Sequence, residues 1–225
     1  MVKKIRLLGM EIDNFTLREE MMKSETFYHK QELNIIRTVS IEMLSMAAEN
    51  QTVRDGIKQA DLVVVGDREI LTEAGIYSAQ RLHEASEHGF MSEFLKERIH
   101  SNSSFFLVAQ SQSDFNAFLQ FLKLKYENIS IVGNYVLDTC SSDYDMMINE
   151  INAAAPDIIL STLDSPQEDA FLMQEKAKIS ARVWYSLSAD YETTQKKPSF
   201  LFWIQQLIHK GRFKNVIHNY EDRHE

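Results

Sequence analysis

The chain predicts an α/β fold, a mainly parallel, open, Rossmann-like sheet with helices on both faces, followed by a C-terminal helical segment. Three observations predict it. Short apolar runs recur as LVVV (62–65), FFLVA (105–109), ISIVG (129–133), DIILS (157–161) and ARVWYSL (181–187). These runs do not alternate with polar residues, as befits strands covered on both faces. Helical patterns separate them, FNAFLQFLKLKY (115–126), YDMMINEINAA (144–154) and DAFLMQEKAK (169–178), and strands alternating with helices of this length indicate parallel crossovers.

Taken in order, residues 4–9 and 33–39 are the first two strand candidates. Between them Thr16 caps a helix, with Glu19 three residues on as the partner in a capping box. Ser40 opens a helix over 41–60, on which Met43, Leu44, Ala47 and Ala48 share a face. The interval 68–102 carries no strand and reads as two helices broken near Gly89. In 147–171 a helix, an Ala-Pro-Asp turn, a buried strand and a polar loop follow one another, which puts Asp164, Ser165, Pro166 and Gln167 at the carboxyl end of a strand. Open α/β sheets bind ligands there. After Pro198 a last helical segment (199–225) carries Phe200, Phe202, Trp203, Leu207 and Ile208, a stripe expected to pack on the preceding domain. The organisation is therefore an α/β domain over 1–198 and a helical segment over 199–225 packed on it.

With 225 residues, 44% of them hydrophobic and 25% charged, the chain can bury an ample core. A formal net charge of −9 argues against nucleic-acid partners. Cys140 is the only cysteine, so neither an intramolecular disulfide nor a cysteine zinc site can form, and it stands in a turn as a bystander. No apolar run approaches the ~20 residues of a membrane span, and the first one breaks at Glu11 and Asp13. A cytoplasmic protein is expected, with any membrane contact peripheral.

Four segments resemble, in order, the WecG/TagA/CpsF family of bacterial glycosyltransferases: IRLLGMEIDNFTLREEM near the start, KQADLVVVGD (58–67), YENISIVGNY (126–135) and INAAAPDIILSTLDSPQEDAF, over roughly residues 4–210. The resemblance implies an inverting, metal-independent transfer of a hexosyl, N-acetylmannosaminyl-like unit from a UDP-sugar to a lipid-linked acceptor in cell-surface polysaccharide assembly. No cofactor is implied beyond the donor substrate. It implies that Asp67, at the end of the third strand, accepts the proton of the acceptor hydroxyl, because a hydroxyl is a weak nucleophile until its proton is taken. Thr38 and Ser40 at the end of the second strand, Gln110, Gln167 and Asp190 are implied to line the donor site.

The sequence departs from the family at strand ends. Asp67 is shifted by about one position and lacks paired glycines, Ala109-Gln110 replaces Gly-Gly, and Gln167-Glu168-Asp169 replaces Lys-Gln-Glu, with Phe171 at the family's Trp. That last change is expected to set two carboxylates near the donor diphosphate, where like charges repel. Two readings stay open: an active glycosyltransferase at the inner membrane face, or a catalytically degenerate relative that binds or regulates an active one, with self-association also open. Asp67 has an alternative as a cap for its own helix near Ile70, and Ser40 one as a cap for the helix it opens. His83 and His88 flank HEASEH, but on a regular helix their imidazoles lie ~140° apart and cannot share one ion, so both read as exposed helix residues. The basic C-terminal residues Lys210, Arg212, Lys214 and Arg223 read as a solvated helix end or a weak contact with anionic lipid.

Overall fold

The computed structural model describes residues 4–137 and 144–187, together with Ile217. Cys140, Asp190, the 198/199 boundary and the basic C-terminal residues lie outside the described residues.

Six strands form one sheet: β3 (Asn34–Val39), β4 (Leu62–Val65), β5 (Ser104–Ala109), β6 (Ser130–Val136), β7 (Ile158–Thr162) and β8 (Val183–Ser186), in the order β4-β3-β8-β7-β5-β6. Every neighbouring pair is parallel. All carboxyl ends therefore emerge on one rim, which sets the place of the site before any side chain is considered.

Period-2 alternation divides the core between the faces. Ile36, Val64, Leu107, Leu160 and Tyr185 point to one face, under α6 (Gly89–His100) and α7 (Gln112–Lys125). Ile35, Phe106, Val108, Ile159 and Trp184 point to the other, under α8 (Tyr144–Ala154) and α9 (Gln167–Glu175). Val39, Val63 and Val65 meet α2 (Ile41–Glu49) and α3 (Gln51–Gln59). At Gly133 a Cβ would stand 2.6 Å from the Phe106 ring, so this glycine admits the aromatic packing of β5 against β6.

Three expectations change. The segment 4–9 ends as a strand at Leu7: β1 (Lys4–Leu7) pairs antiparallel with β2 (Met10–Asp13) in a separate hairpin. Leu8 and Gly9 both take positive φ, 52° and 71°, which a two-residue hairpin turn of matching twist requires. The helix expected over 41–60 is two, because Asn50 leaves helical geometry and its side-chain oxygen accepts the N–H groups of Thr52 and Val53 to start α3. The interval 68–102 holds three helices, α4 (Arg68–Glu73), α5 (Ala79–Ser86) and α6, the first two separated at Gly75, where φ is +75°. The capping box at Thr16 forms as expected and opens α1 (Leu17–Glu25).

Candidate functional site

β3 and β4 lie side by side and end together, with Val39 opposite Val65. Gly66 makes the closeness workable: a Cβ there would meet Thr38 Cγ2 at 2.8 Å and the Val39 carbonyl at 3.1 Å. Its own N–H donates to that carbonyl at 2.9 Å. Thr38 is buried, and its hydroxyl is 3.2 Å from the Tyr185 hydroxyl. Ser40 caps α2 by accepting the Met43 N–H at 3.2 Å, as its alternative reading has it.

Asp67 does not cap its own helix. No side-chain cap bond is made at α4, and Asp67 Oδ2 instead accepts the Ile41 N–H at 2.7 Å, at the start of α2. The side chain thus reaches sideways across the rim to the neighbouring strand's helix, where the partial positive charge of the helix N-terminus suits a carboxylate. Thr38, Ser40, Gly66 and Asp67 are brought together; Gln110 and Gln167 are not part of this group. They follow β5 and β7, which are paired through Ala109 and Thr162 on the other half of the rim. Gln110 Oε1 is buried without a hydrogen-bond partner among the described residues. Gln167 Nε2 donates to the Tyr144 hydroxyl at 3.3 Å.

Beneath the Thr38 half lies a cavity of about 20 Å³, bordered by Thr38, Gly66, Tyr185, Glu20, Arg81 and His88 among others. Arg81 is nearly excluded from solvent, and its Nε and Nη2 make no hydrogen bond among the described residues. Its Nη1 donates to Glu84 Oε2 at 2.8 Å, while Glu20 Oε1 stands 3.8 Å from Nη2. Burial pushes the Glu20 carboxyl up to about 8, with Glu84, Asp13 and Glu19 adding to the rise and Arg81 opposing it. Burial alone would raise Glu84 as well, but hydrogen bonds from Arg81, Gln80 and the Leu17 N–H hold it below the usual carboxylate value.

Glu168 and Asp169 overturn the expected crowding of a diphosphate by acid. Both are buried beneath the rim and turned onto Arg37, whose Nη2 is 3.1 Å from Glu168 Oε2 and whose Nη1 is 2.7 Å from Asp169 Oδ1. Trp184 Nε1 donates to Glu168 Oε1 at 2.8 Å, and Arg37 also donates to Ser165 Oγ at 3.3 Å. Burial pushes both carboxyls up against the pull of Arg37. In the same loop Asp164 is exposed at the end of β7, its carboxyl raised by partial burial and by the charges of Asp114 and Glu42.

Arg37, Arg81, Glu20 and His88 were not legible as site residues. Arg37 carried a signal, a charged residue inside the strand NIIRTV, since a buried arginine needs a partner. His88 corrects its reading as an exposed helix residue. It is half-buried, lies between α5 and α6 with φ 48°, and faces the cavity. His83 is exposed, as expected. Among the described residues no three of His, Cys, Asp and Glu are grouped to hold a metal ion, and no helix is long and apolar enough to cross a membrane.

The profile of the glycosyl transferase WecG/TagA/CpsF family matches residues 5–194, nearly the whole span that carries the sheet and its rim. The chain belongs to this family. Among curated proteins it is similar to the N-acetylglucosaminyldiphosphoundecaprenol N-acetyl-beta-D-mannosaminyltransferases of Staphylococcus aureus strains MRSA252 and NCTC 8325. Each is 21% identical over 228 residues, which cover 95% of this chain and 89% of the relative. This WecG/TagA/CpsF member carries an aspartate, Asp67, on the rim and an Arg37-centred ion cluster under the Pro166 loop.

Proposed function

We propose that the protein transfers an N-acetylmannosaminyl-type unit from a UDP-sugar to a lipid-diphosphate-linked sugar, in the assembly of a cell-surface polysaccharide at the inner face of the membrane. The observation that carries this reading is the convergence of Thr38, Gly66 and Asp67 at the carboxyl ends of adjacent parallel strands, in a chain of this family. The names of the similar staphylococcal proteins support the acceptor class, a diphosphate-linked N-acetylglucosamine on undecaprenol. Asp190 is proposed to complete the donor site with Thr38, Ser40, Gln110 and Gln167, in a reaction without a metal. The orphaned Gln110 Oε1 suits a donor N–H or hydroxyl arriving at the rim.

A second reading has its own support. Asp164, raised by burial and by Asp114 and Glu42, gives the Gln110 half of the rim an acidic character that disfavours a diphosphate. That favours a relative that binds or regulates an active transferase. The deciding experiment incubates the protein with UDP-N-acetylmannosamine and lipid-diphosphate-linked N-acetylglucosamine and follows UDP release and product. Turnover lost in Asp67→Asn supports transfer. Protein that neither shifts in melting temperature with UDP nor releases it refutes the first reading and leaves the second.

A further inference from the structure

We propose that Tyr185 is a positioning residue for the sugar nucleotide, holding the Thr38 hydroxyl in the orientation that offers its proton to a ligand oxygen at the rim. This role rests on the glycosyl-transfer reading, in which Thr38 lines the nucleotide site, and Tyr185 itself touches no substrate. Tyr185 is fully excluded from solvent, and among the described residues its hydroxyl finds its partner in Thr38 Oγ1 at 3.2 Å.

The sheet brings the two hydroxyls together. Ile36 of β3 stands opposite Tyr185 of β8, so Thr38, two residues on, is a diagonal neighbour of Tyr185 on the same face. An aromatic side chain spans that diagonal. Its ring is held from the other side by α6, where Phe94 meets it edge-on at 5.6 Å between centroids and Phe90 at 5.8 Å. Thr38 is fixed in turn by its two branches. Its methyl is the atom nearest to where a Gly66 Cβ would stand, and its hydroxyl lies on Tyr185. Both placements belong to one torsion. Any other staggered χ1 would take the hydroxyl off the phenol and leave a buried polar group without a partner.

The direction of the hydrogen bond decides what Thr38 can offer. A phenol is more acidic than an alcohol and is the better hydrogen-bond donor of the two. Burial raises the Tyr185 pKa above its usual value, against the pull of Thr38, so the phenol keeps its proton. Tyr185 therefore donates, Thr38 accepts, and the threonine's own proton is left for another partner. Beneath the pair, the cavity of about 20 Å³ has room for a water but not for a sugar or a base ring. A larger ligand meets Thr38 from the rim above. The arrangement suits a ligand atom that only accepts, such as a uracil carbonyl or a phosphoryl oxygen.

The test uses the full chain. Tyr185→Phe keeps the ring against Phe90 and Phe94 and removes only the hydroxyl, so the fold is retained. With the Thr38 methyl isotopically labelled, NMR couplings should report one χ1 rotamer in the wild type and an average of rotamers in Tyr185→Phe. Calorimetric titration should show the variant binding UDP about three- to tenfold more weakly, the worth of one hydrogen bond. Its KM for the UDP-sugar should rise by a similar factor while kcat is nearly kept. Thr38→Val should weaken UDP binding at least as much, and in that background Tyr185→Phe should cost no further affinity. A purely structural tyrosine would lower the melting temperature and leave UDP affinity alone. Wild-type UDP affinity in Tyr185→Phe, an affinity loss that persists undiminished in Thr38→Val, or a single Thr38 rotamer in Tyr185→Phe overturns the proposal. Wild-type protein that binds no UDP overturns the transfer reading and the positioning role with it, while the rotamer measurement still reads the hydroxyl pair on its own.

Discussion

Arg37 and Arg81 are both nearly excluded from solvent, and each faces two carboxylates, but they are held very differently. Arg37 meets Glu168 at 3.1 Å and Asp169 at 2.7 Å, with Ser165 and Ser186 filling the remaining donor directions of its terminal nitrogens. Arg81 meets Glu84 at 2.8 Å but Glu20 only at 3.8 Å, beside a cavity, with two of its nitrogens unsatisfied. Buried ions are expensive unless geometry and extra hydrogen bonds repay the desolvation. The first cluster comes nearer to that condition through its two close ion pairs, although Arg37 Nε and both Asp169 oxygens make no hydrogen bond among the described residues, and it joins β3 to the loop after β7 across the intervening strand β8. The second does not, and its slack sits beside Thr38 and His88. The difference teaches that one arginine fixes the rim in shape while the other leaves polar capacity at the place where a substrate would be bound.

The largest expected effect tests the first half of that contrast. Arg37→Met strands Glu168 and Asp169 without their cation and should destabilise the protein by about 3–5 kcal/mol. Arg81→Met should cost visibly less, since its ties to Glu20 are long. Urea denaturation of the two variants measures both, and equal losses would dissolve the contrast.

How much of this could be read in advance follows from where the partners are. Strands such as LVVV at 62–65 announce themselves because an apolar run bounded by polar residues has few other uses. The hairpin β1–β2 hid behind Glu11, which is exposed between buried Met10 and Ile12, and behind Asp13, which is buried and accepts the Val63 N–H at 3.2 Å. At the rim, Thr38 and Asp67 were legible as strand-end residues, and their proximity follows from two strands being neighbours. The ion clusters were not, since Arg37 and Glu168 lie 131 positions apart and periodicity reports a residue's face without its partner. For the same reason Glu168 and Asp169 were expected at a diphosphate, when the first turn of α9 in fact directs them inward. Of the residues called to the donor site, Gln110 and Gln167 fall on the half of the rim away from Asp67, a separation that only the strand order reveals.

The next effect in size belongs to the looser cluster and depends on pH. Glu20 has its pKa raised to about 8 in the fold from 4.5, so the folded state holds a proton that the unfolded chain gives up. Stability from this group is fully present below 4.5 and is lost as pH rises through about 8. Glu168, Asp169 and Asp164 are shifted the same way and contribute in the same direction, so the comparison must be made between variants. Glu20→Gln keeps the shape and removes the titration. It should flatten the fall between pH 5 and 9 and leave the variant more stable than wild type at pH 9 by roughly 2–4 kcal/mol. Parallel pH profiles of the two proteins in chemical denaturation would show Glu20 to be innocent of the slope.

The smallest effect probes how tightly the Arg37 cluster is packed. Gly56 lies inside α3, where glycine is a poor helix former and alanine should stabilise by about 1 kcal/mol. Here a Cβ would stand 2.0 Å from Asp169 Oδ1 and 2.6 Å from its Cγ, and Asp169 cannot swing away without leaving Arg37. The helix α3 approaches α9 this closely only because residue 56 has no side chain. Gly56→Ala should therefore destabilise by about 1–2 kcal/mol net, overpacking outweighing propensity. Placed in an Asp169→Ala background, which removes Oδ1 and Cγ but keeps the Cβ at 2.9 Å, the same substitution should lose part of its penalty. A Gly56→Ala that stabilises on its own would mean that Asp169 moves freely, and the ion cluster beneath the Pro166 loop would then be no tighter than the one around Arg81.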